Sequence, residues 1–256
     1  MSARCAAFLL AAALPVLAGE IPPEQRVSGY AQMGRELRAM QDDAAANPAM
    51  LWLVEGEALW KAAVGEDSRS CADCHGETGA AMKGVAARHP AIDPESGRPR
   101  NLEQSINFCR TTRQRAAPLD YESRELLALT AFVAAQSRGM PIGIEADERS
   151  QPFIEAGREI FELRLGQINI ACAQCHDDNW GRRLAGSVIP QGHPTGYPLY
   201  RLEWQGLGSL HRRLRGCMAG VRAQPFDHGS PELVNLELFL MWRARAMEME
   251  APAVRP

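Results

Sequence analysis

The chain has 256 residues, of which 46% are hydrophobic and 23% are charged, and its formal net charge is −3. This composition is ordinary for a globular protein, and it argues against a nucleic-acid-binding protein, which would usually be basic. After the N-terminal segment no apolar run approaches the roughly 20 residues of a transmembrane helix, so no membrane span is expected.

The first element in chain order is a targeting segment. Arg4 supplies a positive charge, residues 6–17 (AAFLLAAALPVL) form a short apolar region, and Val16 and Ala18 precede a cleavage site. The sequence therefore predicts a signal peptide over residues 1–18, cleaved near Ala18. A buried N-terminal helix is the alternative. Export would place the protein in an oxidising compartment, with a bacterial periplasm as the expected location.

Two stretches of the remaining chain resemble each other. CADCH at 71–75 and CAQCH at 172–176 are preceded by matching amphipathic segments, in which Gly56 corresponds to Gly157. Later in the chain SRELLALTAF (123–132) corresponds to SPELVNLELF, and both begin with a Ser and an early Glu, a pattern typical of a helix start.

These correspondences predict the domain organisation. No segment shows sustained strand alternation, so the fold class is mainly α. We predict two tandem helical domains, 45–145 and 146–256, related by internal duplication. An N-terminal extension (19–44) precedes them, with a helix that runs from about Pro23 to Asn47.

Both motifs are CxxCH, the attachment signal of a c-type haem. The two thiols form thioethers, and the adjoining His then becomes the proximal iron ligand. Zinc would need four ligands in repeated patterns, and a redox CxxC would need a βαβ setting, neither of which is present. Two covalently bound c-type haems are predicted, one on Cys71, Cys74 and His75 and the other on Cys172, Cys175 and His176.

The sixth iron ligands are less obvious. Ordinary small cytochromes use Met, and the other candidates in the chain are Met140, Met218, Met241, Met247, His89 and His193. Cys109 and Cys217, however, occupy equivalent places after the two motifs, and we favour these thiolates, which would stabilise ferric iron. Two free buried cysteines or a Cys109–Cys217 disulfide are the alternatives.

The segments before these two cysteines differ. LEQSINFC (102–109) is neutral at the positions where LHRRLRGC (210–217) carries arginines. If the second segment is helical, Arg213 lies one turn before Cys217 on the same face. A guanidinium binds oxyanions and favours a neighbouring thiolate, so this pair predicts oxidative chemistry on a small sulfur oxyanion. Whether Arg212 and Arg215 belong to this site or to a solvated face stays open. His211 and His228 are expected at the surface, with a role in tuning the site as the alternative.

The chain resembles the SoxA family, the dihaem c-type cytochrome subunits of the SoxAX complex of sulfur oxidation. The likeness rests on residues 197–245 (YPLYRLEWQGLGSLHRRLRGCMAGVRAQPFDHGSPELVNLELFLMWRAR), on NLEQSINFCR (101–110) and on SRGMPI (137–142). It implies two cytochrome-c-like domains, a small SoxX-like cytochrome c as partner in a heterodimer, a SoxYZ-like carrier protein and thiosulfate as substrate.

The resemblance also implies an enzyme, an L-cysteine S-thiosulfotransferase. Such a protein couples thiosulfate oxidatively to a carrier cysteine and passes two electrons to c-type cytochrome. Cys217 would be a cysteine persulfide, and Arg213 would bind the substrate oxyanion. Axial ligation would fall on His75 and Cys109 at one iron and on His176 and Cys217 at the other. A dihaem electron carrier and a tetrathionate-forming thiosulfate dehydrogenase are the alternatives.

Overall fold

The structure is a computed structural model that describes residues 21–256. The predicted signal peptide lies outside the described residues. Helices dominate the described part of the chain, which confirms the predicted mainly α fold class. Among the helices of this part, none is long and apolar enough to cross a membrane.

Nine α-helices occur between residues 21 and 256. In chain order they are α1 (Arg35–Asp42), α2 (Met50–Lys61), α3 (Ala72–His75), α4 (Leu102–Arg113), α5 (Arg124–Ala135), α6 (Gln151–Glu162), α7 (Cys172–His176), α8 (Leu210–Gly220) and α9 (Pro231–Arg243). Single 3-10 turns lie at Pro23–Gln25, Ala80–Met82 and Ala86–Arg88.

The predicted helix from Pro23 to Asn47 is much shorter in the structure. Only α1 is α-helical there, because Gly34 before it and Asp43 after it both have extended backbone conformations. The extension instead reaches across the molecule as an irregular segment.

The predicted helix starts at two serines are confirmed. The Ser123 side chain accepts a hydrogen bond from the Leu126 amide at 3.2 Å at the start of α5. The Ser230 side chain accepts one from the Leu233 amide at 3.3 Å at the start of α9. Each cap satisfies an amide that has no partner within the helix and contributes about 1 kcal/mol.

Two close helix pairs, α2 with α5 and α6 with α9, form the centre of the fold. A Cβ atom on Gly56 would lie 2.2 Å from the Ala128 carbonyl oxygen, and one on Gly157 would lie 2.1 Å from the Asn235 carbonyl oxygen. Only glycine therefore allows the two backbones of each pair to approach this closely. The matching contacts favour the predicted duplication, which stays a prediction together with the domain boundaries.

Short strands complete the described structure. Two hairpins pair β1 (Ala91–Ile92) with β2 (Pro99–Arg100) and β3 (Arg183–Leu184) with β4 (Ser187–Val188). A three-stranded sheet has the order β6-β5-β7, built from β5 (Leu199–Arg201), β6 (Gly206–Gly208) and β7 (Ala253–Arg255). β5 pairs antiparallel with β6 and parallel with β7.

The two chain ends of the described part hold this sheet. The Gln41 side-chain oxygen in α1 accepts hydrogen bonds from the Val254 amide at 3.0 Å and from Arg255 Nη1 at 2.6 Å. Gln191 accepts a hydrogen bond from the Val27 amide at 2.6 Å and donates one to the Gln25 carbonyl at 2.9 Å. The extension and the C-terminal tail, which carry no readable motif, thus fix the loop and strand that follow the second CxxCH motif.

Candidate functional site

The two CxxCH motifs form the short helices α3 and α7, and side chains between their cysteines start each helix. Asp73 accepts a hydrogen bond from the Ser70 amide at 2.7 Å, while the Ser70 hydroxyl accepts one from the Asp73 amide at 3.1 Å. Gln174 likewise accepts one from the Ala171 amide at 3.0 Å. These local contacts set the helical turn that carries both thiols and the histidine of each motif.

Each isolated cysteine lies beside the motif of its own half. Burial raises the pKa of the Cys71 thiol, and the nearby Cys109 raises it further. Burial likewise raises the pKa of Cys172 to about 11, and Cys217 acts in the same direction. All six cysteines of the described part are free, so the Cys109–Cys217 disulfide does not occur there.

The second motif histidine has the surroundings of a proximal haem ligand. His176 Nδ1 lies 2.7 Å from the Pro190 carbonyl oxygen, which fixes the ring and leaves Nε2 available to iron. Burial lowers the pKa of His176, and Arg243 and Arg213 lower it further, so the ring is neutral as ligation requires.

The first motif histidine lies beside an aromatic wall. The centroids of His75 and Trp60 are 5.7 Å apart, and the Trp60 indole donates to the Gly76 carbonyl at 2.8 Å. Phe161 lies near His176 in the second half, with ring centroids 6.4 Å apart. The two thiols, the histidine and the aromatic packing at each motif fit a covalently attached haem.

One of the alternative axial ligands is engaged elsewhere. His89 Nδ1 lies 2.9 Å from the Val85 carbonyl, and its Nε2 lies 3.2 Å from the Ser105 hydroxyl. Met218 and Met241 belong to the same apolar core against which Cys71 and Cys172 pack, so their burial does not decide against them. Axial ligation by Cys109 and Cys217 stays a prediction.

The α8 helix places Arg213 and Cys217 one turn apart, as expected from their spacing. Ser209 caps this helix by accepting a hydrogen bond from the Arg212 amide at 3.1 Å. The Arg213 guanidinium has no hydrogen-bond or ion-pair partner among residues 21–256. A half-buried, unpaired guanidinium beside a thiol is therefore available to an anionic ligand.

The neighbouring arginines have structural contacts instead. Arg212 lies over the Trp204 ring at 4.3 Å from its centroid and 4.0 Å from a Glu122 oxygen. Arg215 donates to the Phe226 carbonyl and lies 3.9 Å from Asp227. Their contacts with protein groups separate them from Arg213.

The neutral residues of α4 also support structure. Gln104 and Asn101 form reciprocal side-chain to backbone hydrogen bonds of 3.1 and 2.9 Å at the helix start. The Asn107 side chain donates to the Leu119 carbonyl at 2.9 Å.

The position equivalent to Arg213 is the neutral Ser105, whose hydroxyl donates to the Asn101 carbonyl at 2.9 Å. The positive charges near Cys109 come instead from Arg113 and Arg100, which lower the pKa of its thiol against the larger effect of burial.

Two residues near Cys217 were missed by the sequence reasoning. Burial raises the pKa of Tyr197 to about 12, while Arg213 and Arg201 lower it and Cys217 raises it. Arg201 ends β5, and Tyr197 lies just before that strand. The β5–β6 hairpin separates both residues from the start of α8. Both residues lie within the stretch 197–245 that carries the family resemblance, but no chemical motif or periodicity singled out either of them.

The expectation that His211 lies at the surface was wrong. His211 is 1% exposed, and its Nε2 lies 3.0 Å from a Glu237 oxygen. The Gly229 amide donates to its Nδ1 at 3.1 Å. His228 is half-buried and stacks on Tyr121, with ring centroids 5.6 Å apart. The sequence around His211 could not predict this polar cluster, because its carboxylate comes from Glu237 in a different helix, α9.

Comparisons with known proteins identify the family of this chain. Residues 55–142 match the family model "SoxA/TsdA, cytochrome c domain". The L-cysteine S-thiosulfotransferase subunit SoxA of Pseudaminobacter salicylatoxidans is 36% identical over 91% of this chain and 82% of its own. That of Rhodovulum sulfidophilum is 37% identical over 89% and 79%. The crystal structure of SoxXA from P. pantotrophus superposes with a TM-score of 0.87 at 32% identity, covering 90% and 87%.

Fold, site and matches together define a c-type cytochrome that binds haem covalently. The coverage and sequence identity of the matched relatives narrow this class to one family. The chain belongs to the SoxA family.

Proposed function

We propose that this chain is the catalytic dihaem subunit of an L-cysteine S-thiosulfotransferase, which couples thiosulfate oxidatively to a cysteine of a SoxYZ-like carrier. The names of its relatives support the activity. The observation that carries the assignment to a site is the unpaired Arg213 guanidinium one helical turn from Cys217, beside the second CxxCH motif.

The haem ligands follow from the two clusters. Cys71 and Cys74 would attach one haem, with His75 and Cys109 as axial ligands. Cys172 and Cys175 would attach the other, with His176 and Cys217 as axial ligands. When bound, the haem supplies one-electron oxidation and a route for electrons to a partner cytochrome.

Arg213 and Cys217 have different roles toward the substrate. The guanidinium binds the thiosulfate oxygens through charge-assisted hydrogen bonds and holds the sulfane sulfur toward Cys217. One turn before Cys109 the equivalent position of α4 carries the neutral Ser105, so we assign Cys109 to ligation alone.

The sulfur transfer balances in two steps. The outer sulfur of the Cys217 persulfide forms a sulfur–sulfur bond with the sulfane sulfur of thiosulfate, and the two electrons released by this oxidation leave to c-type cytochrome. The carrier thiolate then attacks that sulfane sulfur, so the bond to the Cys217 persulfide breaks. The carrier keeps an S-thiosulfonate, its thiol proton goes to solvent, and the Cys217 persulfide is restored.

The partners and location belong to the same proposal. The solved relative is a SoxXA structure, which supports a SoxX-like small cytochrome c as the other subunit of a heterodimer. A periplasmic location would follow from cleavage of the predicted signal peptide. Both the electron acceptor and the carrier would then meet the protein after export.

The test is Cys217→Ala in the complex with its partner cytochrome. Haem content is checked by intact mass, and thiosulfate conjugation to the carrier is followed by mass spectrometry of the carrier. Conjugation should be lost while both haems stay attached. Ala219→Ser, at an exposed position of the same helix, is the control and should conjugate normally.

Undiminished conjugation by Cys217→Ala would refute the catalytic role of this cysteine. Tetrathionate formed without carrier would instead support a thiosulfate dehydrogenase. Electron transfer without either product would support a plain electron carrier.

A further inference from the structure

A second arginine lies beside the Arg213 site. Arg201 is the last residue of β5, where it pairs with Gly206 of β6 and with Arg255 of β7. Strand partners on both sides hold its backbone. The position of the side chain is therefore set by the sheet rather than by a free loop.

The Arg201 side chain is largely buried but incompletely paired. Its side chain is 13% exposed, and Nη2 donates to Glu203 at 2.9 Å. Glu203 itself is 62% exposed, so water screens that ion pair. Arg201 Nε is buried without any hydrogen-bond partner in the described structure. A buried guanidinium N–H without a partner is costly unless a ligand satisfies it.

The hairpin that carries Arg201 packs against the start of α8. The Trp204 ring, in the β5–β6 connection, lies 5.2 Å from the Arg201 guanidinium carbon and 4.3 Å from that of Arg212. A Cβ on Gly208 would lie 2.4 Å from the same ring, so glycine in β6 allows the indole to lie flat there. This packing links Arg201, through the Trp204 ring, to the start of α8, where Arg212 is followed directly by Arg213.

Two guanidinium groups thus share one half-buried region. Burial lowers the pKa of Arg201, and the charge of Arg213 lowers it further. Burial raises the pKa of Tyr197, and the charges of both arginines act against this rise. Arg213 has no carboxylate partner among residues 21–256 and Arg201 has only the exposed Glu203. Like charges at close range are stabilised by an anion between them.

We propose that Arg201 is a second substrate-binding residue, which contacts the thiosulfate oxygens through its buried Nε opposite Arg213. This inference rests on the proposed function and extends it. Thiosulfate is a dianion with several oxygens, and two guanidinium groups match both its charge and its need for several donors. The pair holds the oxygens away from the sulfur that reacts at Cys217.

The test measures thiosulfate binding without turnover. The holo complex with its partner cytochrome is kept reduced and free of oxygen, carrier is omitted, and thiosulfate is titrated by isothermal calorimetry. Arg201→Gln should weaken binding roughly ten- to a hundred-fold, because one charge-assisted hydrogen bond is lost. In turnover assays the KM for thiosulfate should rise more than kcat falls.

Two further variants test the charge without a large change in packing. Arg201→Lys keeps the charge but loses the planar donor group, so it should bind several-fold more weakly than the unmodified protein. Glu203→Gln removes an exposed negative charge beside the site and should bind thiosulfate more tightly. Arg212→Gln is the matched control, since Arg212 stacks on the same Trp204 ring, and it should bind normally.

The outcomes separate the two proposals. Normal binding by Arg201→Gln together with weak binding by Arg213→Gln would overturn the role of Arg201 and leave the proposed function standing. Normal binding by both variants would overturn the thiosulfate site at Arg213 as well. If Arg201→Gln does not fold, unchanged affinity in both Arg201→Lys and Glu203→Gln would overturn the inference.

Discussion

The Nδ1 atom of His176 lies 2.7 Å from the carbonyl oxygen of Pro190. This contact joins the second CxxCH motif to the loop that precedes β5. A backbone carbonyl fixes the tautomer of a ligating histidine and makes it a stronger electron donor to iron. The loop between the motif and the sheet thereby controls the proximal side of the haem proposed on Cys172 and Cys175.

Gly192→Ala should disturb this contact. The added Cβ would lie 3.3 Å from His176 Cγ, at a backbone φ of +78°. A weaker Nδ1 hydrogen bond destabilises ferric iron, so the midpoint potential of this haem should rise. Potentiometric titration checks the potential. Gly181→Ala is the control: its φ is +80° with nothing within 4 Å of the new Cβ. Both variants should lose about 1–2 kcal/mol of stability, but only Gly192→Ala should shift the potential.

Asp177→Asn should be strongly destabilising. Asp177 accepts two hydrogen bonds from Arg243, at 2.6 and 3.3 Å, and the Arg243 side chain is 3% exposed. Removing the carboxylate leaves a buried guanidinium charge uncompensated, which costs about 3–5 kcal/mol.

The free energy of unfolding from denaturant titration checks this expectation. Glu57→Gln is the control, because the Glu57–Lys61 pair is exposed and its loss should cost less than about 1 kcal/mol. Equal losses in the two variants would contradict the structural role of the Asp177–Arg243 pair.

Gly56→Ala and Gly157→Ala should each destabilise the fold. In the two variants the new Cβ would lie 2.2 and 2.1 Å from a carbonyl oxygen of the partner helix, which is far inside van der Waals contact. Forcing the helices apart should cost about 1–3 kcal/mol in each half. Gly216→Ala in α8, where nothing lies within 4 Å, should instead gain about 0.5–1 kcal/mol from helix propensity. Thermal unfolding of the three variants gives the comparison.

Stability should fall between about pH 5 and pH 7. Burial, together with the charge of Glu237, raises the pKa of Glu103 to about 7. In this range the folded state keeps a proton that the unfolded state has released, so the free energy of unfolding decreases as pH rises. Below pH 4.5 both states are protonated, and above pH 7 the loss is complete.

Glu103→Gln should flatten this pH dependence, because a neutral amide replaces a buried carboxyl group. Chemical unfolding at pH 5 and at pH 8 measures the difference. Glu232→Gln, at an exposed position in the first turn of α9, should keep the original dependence. An unchanged slope in Glu103→Gln would assign the pH effect to other groups.

Local sequence patterns predicted much of the helical structure. Serines with an early Glu marked the starts of α5 and α9, and both caps are present at Ser123 and Ser230. The spacing of Arg213 and Cys217 placed them one turn apart on a helix, and α8 spans both. These features depend on residues within a few positions of each other, where periodicity and capping are decisive.

Long-range packing produced the features that the sequence did not reveal. His211 is buried against Glu237, which α9 supplies. The segment before α1 is irregular, and it contacts distant residues such as Gln191. No local pattern specifies partners separated by this much chain.

The sequence by itself determined the cysteine and histidine clusters, the helices that carry them and the contrast between the neutral and arginine-rich distal segments. The tertiary structure decided which arginines have protein partners and added Arg201 to the site. Its position depends on β7, whose Arg255 pairs with Arg201 of β5 although the two residues are far apart in the chain. Backbone hydrogen bonds between remote strands have no signature in local composition, so only the folded structure brings Arg201 beside Arg213.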